Sequence, residues 1–454
     1  MNLFTRLQAH HDAGKTITIA MIGAGKFATM FLAQLRKLPA IHLACLVDLN
    51  PEGAKQNLAL AGWPEEGYDA ADIDTALRGK TICVSDDWQA AIDHPGIEII
   101  IEVTGDPLAA VRHITAAFAA QKHVINVTVE ADAFCGAGLA AAASDAGVIY
   151  SMAYGDQPAL AADLTDWAWA CGFKVMAAGR GHKWMPHYRH STPDTVWDHW
   201  GLTAEQAARG KLNPKMFNAF LDGSKPAIES AAIANACILK APKEGLAFPS
   251  GAIEDIPQLM RPKALGGILE DSEMVEVISC LAKDGTPIVN DIRKGVWVAI
   301  EADSDYMKNC FEEYSVTTDD TGRYMAAHKK WHLIGLELAI SVASIAFRGE
   351  ATGFARVFNA DVAAIAKSSL RRGTVLDGEG GATIYGGLRP ASDSLAGGYL
   401  PLGLANHAKL KVDIQPDQII TFADVEIDER SKAFEMRQYT QTRLDAPPLV
   451  WAGA

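Results

Sequence analysis

The chain is 454 residues long, with 49% apolar and 21% charged residues. That length suits two or three domains, and the ordinary globular balance excludes a disordered or membrane-embedded protein. The formal net charge of −14 argues against nucleic acid or an anionic membrane as partner, since both select a clustered basic surface.

The first residues read as a short opening helix, without the basic, apolar and small-residue order of a signal peptide. The seven cysteines are scattered singly and read as reduced, buried thiols, so a cytoplasmic protein is expected. Residues 17–22 are a β-branched apolar run ended by Gly23, and residues 26–37 switch to helical spacing. Further apolar strands are expected at 41–47, 97–103, 123–127 and 148–151, with helices at about 107–120, 136–146 and 158–171. Strands this apolar, alternating with helices, predict a parallel sheet covered on both faces. A strand at 173–178 then leads into a polar, aromatic segment, 179–201, read as irregular and outside the core. Two β-rich runs within 274–302 flank Asp284-Gly285 and predict a hairpin of a second, α+β domain, with a helix at about 331–347 packed on it. That apolar stretch is shorter than a bilayer span. Residues 366–376 and 410–420 echo each other and suggest a β-rich third module.

Gly23-Ala24-Gly25-Lys26-Phe27-Ala28 is a G-x-G-x-x-A between a strand and a helix, the pattern of a Rossmann dinucleotide site. Gly23 permits the tight turn, Gly25 lets backbone meet pyrophosphate, and Ala28 allows helix and strand to approach. Asp48 closes the next strand, where it would take the adenosine ribose hydroxyls and favour NAD; Lys55 or Asn50 nearby could soften that preference, so the cofactor is NADP or NAD. Thr104 and Gly105, with Asn126, Thr128 and Glu130, follow later strands on the carboxyl edge and are expected on the nicotinamide side.

On the substrate side, Arg180, His182, Lys183, His187, Tyr188, Ser191 and Thr192 form a basic cluster in an acidic protein. Such a cluster suits a phosphate or carboxylate, with Lys183 or His187 polarising a carbonyl or supplying its proton. Asp222, Lys225 and Glu229 stand where a turn feeds an apolar helix, and they suit acid and base roles. Glu102, Glu130, Asp156 and Asp163 are further carboxylates; without a local ligand signature the metal is unknown, and a divalent ion is left open.

Ile22–Phe27, Asn126–Asp132, Ala153–Pro158, Ser191–Trp197 and Asp377–Gly381 together resemble the homoserine-dehydrogenase-like oxidoreductases with a C-terminal SAF domain, and among them the 1-deoxy-D-xylulose 5-phosphate reductoisomerase-like enzymes. The resemblance implies an N-terminal Rossmann doubly wound parallel sheet (1–155), an α+β catalytic and dimerisation domain (156–355) and a SAF-like β-clip module with a tail (356–454). It implies a homodimer acting on a small phosphorylated or carboxylated substrate. Lys183, His187 and Ser191-Thr192 would lie at the substrate, and Lys225 and Glu229 near the reacting carbon. An NAD-dependent dehydrogenase or oxidoisomerase of a sugar acid or hydroxy acid is the alternative reading. A dinucleotide-binding sensor or assembly protein without turnover is a third.

Overall fold

The computed structural model describes residues 2–210 and 212–450, so the last four residues of the expected third module lie outside them. β1 (Ile17–Ile22), β2 (Ile41–Val47), β3 (Cys83–Ser85), β4 (Ile99–Glu102), β5 (His123–Asn126) and β6 (Tyr150–Met152) make one sheet in the order β3-β2-β1-β4-β5-β6. Every pairing in it is parallel. The expected doubly wound sheet is present, and its direction reverses between β1 and β4, where sheets of this kind open a ligand crevice. Asp106 caps the Pro107–Ala119 helix, accepting from the N–H groups of Leu108 (2.9 Å) and Ala109 (3.1 Å). The next helix, Val129–Asp145, begins well before the expected residue 136. Its alanine-rich run, a strong helix former, extends back to Thr128 and puts Glu130 in the first turn.

The second sheet has the order β10-β9-β7-β8, from β7 (Lys174–His182), β8 (Met274–Ser279), β9 (Val296–Glu301) and β10 (Tyr324–Lys329). It corrects two expectations. β7 continues through residues 179–182, which are buried rather than irregular. Gly179 and Gly181 allow the backbone carbonyls of Glu276 and Ile292 to press on the strand, where any β-carbon would overlap them. Arg180 between them is neutralised by an ion pair with Glu229. Second, β8 and β9 do not form a hairpin; β7 lies between them, parallel to β8 and antiparallel to β9. Asp284-Gly285 is only a local turn, with Gly285 at φ +85°.

The late apolar helix covers Ala339–Arg348, not 331–347. Through Leu338, Val342 and Ile345 it packs on Ile101, Ile125 and Ile149 of the first domain rather than on the second sheet. Among the described residues no helix is long and apolar enough to cross a membrane.

In the C-terminal region β11 (Ala360–Ala366) pairs antiparallel with β12 (Ile384–Pro390). The two echoing stretches lie against each other, bridged at Leu370–Ile414 and Val375–Lys409. One apolar core runs from Ile22 and Phe134 through Ile228 and Val298 to Val362 and Leu402. The Lys432–Gln441 helix seals it, with Arg437 donating to Phe134 O at 2.9 Å and pairing with buried Asp361 at 2.5 Å.

Candidate active site

Gly23 has φ +109°, and a β-carbon there would stand 2.6 Å from Val103 O. The protein's own packing of β1 on the end of β4 therefore demands this glycine. Gly25 differs: its φ of −70° suits any residue, and a β-carbon would meet no protein atom within 4 Å. That open space lies over the N-terminus of the Lys26–Leu35 helix, which no side chain caps. A side chain would fill it, and so would a pyrophosphate held by the free N–H groups and the helix dipole. These residues fit a dinucleotide. Asp48 accepts from the N–H groups of Ala24 (2.8 Å) and Asn50 (2.9 Å) and so ties the glycine loop to β2.

The loop opens into a cleft of about 650 Å³, lined by Gly25, Lys26 and Phe27 on one side and by Thr104, Gly105 and Thr128 along the sheet edge. Glu130, Lys225 and Glu379 come into the same cleft from three separate parts of the chain. Lys225 forms an ion pair with Glu130. Burial pulls its pKa down, but the carboxylates around it, Glu130 foremost, prevail and push it above the ordinary lysine range. Lys225 is therefore a fixed positive charge rather than a base. Burial and the neighbouring Glu130 charge, against the opposing pull of Lys225, push Glu379 up to about 8.

Behind the edge, the fully buried Glu102 accepts from Thr104 Oγ1 at 2.6 Å and from the Thr128 hydroxyl. The Thr128 hydroxyl also accepts Gly105 N–H at 3.0 Å. Both hydroxyl protons thus point inward onto Glu102, which fixes the shape of the edge. Asn126 is buried, and its amide is spent on Asp132 (2.8 Å), Tyr150 (3.1 Å) and Thr128 O (3.0 Å). It supports the edge from within instead of reaching a cofactor.

The remaining expected residues are not among those lining this cleft. Glu229, one turn along the same helix from Lys225, is buried and pairs with Arg180 instead of lining the cleft. His182 is buried, bonded to Phe220 O at 2.6 Å; burial and Arg180 push it down to about 3, so it is neutral. Lys183 donates to His199 O at 2.9 Å and lies 5.0 Å from the Trp200 ring. His187 is exposed and stacks edge-on to Tyr188 at 4.5 Å. Ser191 donates to Asn218 Oδ1 at 2.6 Å, and Thr192 N–H bonds Thr195 Oγ1 at 2.9 Å in a local turn. Asp222 is buried against Lys367 at 2.7 Å. The basic segment is thus mostly built into the scaffold. Cys171 is exposed and Cys310 half-exposed, while the other five cysteines are buried. Among the described residues no group of three His, Cys, Asp or Glu side chains is arranged to hold a metal.

Sequence reasoning missed Glu379 and Lys367. Glu379 sits in Asp377-Gly378-Glu379-Gly380-Gly381, where Gly378 (φ +73°) and Gly380 (φ +66°) bend the chain into the cleft. A carboxylate between glycines in left-handed turns was the available signal, although it lies far from the other site residues in sequence.

Residues 155–338 match a family model described as "Oxidoreductase DRL, catalytic domain". No curated protein matches the chain in sequence. Among solved structures, the chain is similar to a biliverdin reductase from Synechocystis sp. PCC 6803 (15% identity, 37% of this chain and 48% of that one, TM-score 0.26). It is also similar to the 1-deoxy-D-xylulose 5-phosphate reductoisomerase of Zymomonas mobilis (15% identity, 48% and 58%, TM-score 0.32) and to the Bacillus subtilis oxidoreductase yvaA (15%, 74% and 90%, TM-score 0.34). The chain spans only about half the length of the first two. These likenesses are too slight to add to what the strand order shows by itself. The matched segment, similar to an oxidoreductase catalytic domain, begins directly after the last strand of the dinucleotide-type sheet.

Proposed function

We propose that the chain is an NAD(P)-dependent oxidoreductase and, more specifically, a reductoisomerase converting 1-deoxy-D-xylulose 5-phosphate to 2-C-methyl-D-erythritol 4-phosphate. The observation that carries the oxidoreductase reading is the convergence of Lys225, Glu130 and Glu379 in one cleft with the open cradle at Gly25. The family-model match over 155–338 supports it, and the motif resemblance supplies the specific substrate.

When bound, the nicotinamide supplies or accepts the hydride. The chain's own groups do the rest. The N–H groups following Gly25 hold the pyrophosphate, and Thr104-Gly105 shapes the edge next to the reacting carbon. Lys225, kept charged by its carboxylate neighbours, stabilises negative charge on the substrate oxygen. Lys26, exposed at the mouth, and Lys215 give the cleft two further cations for a substrate phosphate.

Incubating the protein with 1-deoxy-D-xylulose 5-phosphate and NADPH, with and without magnesium or manganese, tests the specific reading. Consumption of NADPH with formation of the methylerythritol phosphate is expected, and no consumption under any of these conditions removes it.

A second reading, an NAD-dependent dehydrogenase or oxidoisomerase of a sugar acid or hydroxy acid, is favoured by Asp48. A carboxylate closing the second strand of such a sheet favours ribose hydroxyls over a 2′-phosphate, and the nearby Lys55 is engaged with Glu52 at 2.8 Å. Turnover of a sugar acid with NAD but not NADP would establish it. Tight dinucleotide binding without turnover of any of these substrates would leave the binding-only role.

A further inference from the structure

The 377–381 loop is anchored on both sides of Glu379. Lys215 Nζ donates to Asp377 O, Asn218 Nδ2 to Gly380 O (2.9 Å) and Lys367 Nζ to Gly381 O (2.6 Å). The Asp377 carboxylate folds the loop by accepting from the N–H groups of Ala382 (2.6 Å) and Thr383 (3.1 Å). Glu379 alone in this loop reaches into the cleft, which Glu130 and Lys225 line with it. Two carboxylates that share a cleft repel each other, which favours a proton on one of them. Of the two, Glu130 is the one that pairs directly with Lys225. Among the described residues Glu379 lacks such a direct partner, and burial and the neighbouring Glu130 charge push it up to about 8.

The other titratable groups facing the cleft cannot take that part. Lys225 is held protonated by its carboxylate neighbours. Asp106 is spent on capping the helix that follows it. Lys26 stands exposed at the mouth, and Lys215 is tied to Asp377. The Thr104 and Thr128 hydroxyl protons point away toward Glu102.

We propose that Glu379, supplied by the C-terminal region, is the catalytic acid and base of this site, giving its proton to the substrate oxyanion and recovering it in the reverse reaction. In that step the carboxyl O–H bond breaks, an O–H bond forms on the substrate oxygen, and the carboxylate left behind lies beside the Lys225 ammonium. The inference rests on the oxidoreductase reading, and it gives the C-terminal region a direct part in the chemistry.

Infrared difference spectra of the ligand-free protein test it without turnover. Wild type minus Glu379→Gln is expected to show the C=O band of a protonated carboxyl that fades as pH rises through about 8. In Glu130→Gln the midpoint is expected to fall, because a neighbouring negative charge is gone. Turnover is expected to drop roughly 100-fold or more in Glu379→Gln, with dinucleotide affinity unchanged, and wild-type reduction is expected to decline above about pH 8. Glu379→Asp, which keeps an acid, is expected to retain the band and recover part of the lost rate. A spectrum unaltered by Glu379→Gln at every pH, or unaltered turnover, overturns the proposal. Failure of the wild type to bind NADH or NADPH in the same samples defeats the oxidoreductase reading instead, and the infrared band then decides by itself whether Glu379 holds the proton.

Discussion

Gly23 and Gly25 are two residues apart and are glycines for different reasons, so replacing each separates folding from binding. Gly23→Ala places a β-carbon against Val103 O in a left-handed conformation. It should cost about 1–3 kcal/mol in urea denaturation. Gly25→Ala meets no protein atom and should cost under about 1 kcal/mol, yet weaken NAD(P)H binding about tenfold or more by occupying the pyrophosphate cradle. Equal dinucleotide affinity in wild type and Gly25→Ala, read by fluorescence titration, would show that the cradle is not the binding site. His182 gives a residue-scale pH dependence. Unfolded, its imidazole titrates near 6.5; buried and beside Arg180, it titrates at about 3. Between those values the unfolded chain binds the extra proton, so stability is lost as pH falls from 6.5 toward 3, by up to about 1.4 kcal/mol per pH unit. Asp132 and Glu276, both pushed up to about 7 by burial, act in the opposite sense. The informative quantity is therefore the difference between wild type and His182→Gln, whose acid-side slope should be shallower.

At the scale of elements, five of the six strands of the first sheet were legible because they are buried and read as apolar runs, with the glycine loop placed by its strand and helix, whereas β3, three residues long and only partly buried, was not. β7 was legible only as far as Ala178. Its continuation contains Arg180 and His182, and polar residues signal a loop unless their partners are known. Those partners, Glu229 and Phe220 O, are distant in sequence and nothing local announces them. The Asp284-Gly285 turn was visible, but a turn does not specify which strands pair, and β7 takes the place between β8 and β9. The candidate site divides in the same way: Lys225 was legible as a charge where a turn feeds a helix and Glu130 as one following a strand on the carboxyl edge, whereas Glu379 depends on a loop whose anchors lie elsewhere. Lys367 is the principal anchor. Its ammonium is buried and donates to Asp222 Oδ2 (2.7 Å), Ser191 O (2.7 Å) and Gly381 O (2.6 Å). Lys367→Met leaves Asp222 a buried unpaired charge and should cost about 3–5 kcal/mol, whereas Lys367→Met combined with Asp222→Leu should recover much of it. A single Lys367→Met variant as stable as wild type would mean the pair contributes no net stability.

At the scale of the whole molecule, three domains were expected from sequence, yet the hydrophobic core does not stop at residues 155 or 355. Phe134 of the first region, Ile228 of the second and Val362 and Leu402 of the third belong to one buried cluster. Gly138 lies so close to the C-terminal helix that a β-carbon would stand 3.1 Å from Met436 Sδ. Arg437 from that helix satisfies Phe134 O in the first region and Asp361 in the third. Elements that share a core and buried charge pairs lose their partners together, so unfolding is expected as one cooperative calorimetric transition. A chain ending at residue 355 would expose Phe134 and Ile228 to water, lose the Arg437 contact and lack Glu379. Each large side chain uncovered forfeits roughly 1.5–3 kcal/mol, and a few such losses consume the stability of an ordinary domain. Residues 1–355 expressed alone should therefore be aggregated or molten, without a sharp melting transition. A soluble 1–355 fragment that melts cooperatively and binds NAD(P)H with wild-type affinity would show that the C-terminal region is an appended unit rather than part of the folded core.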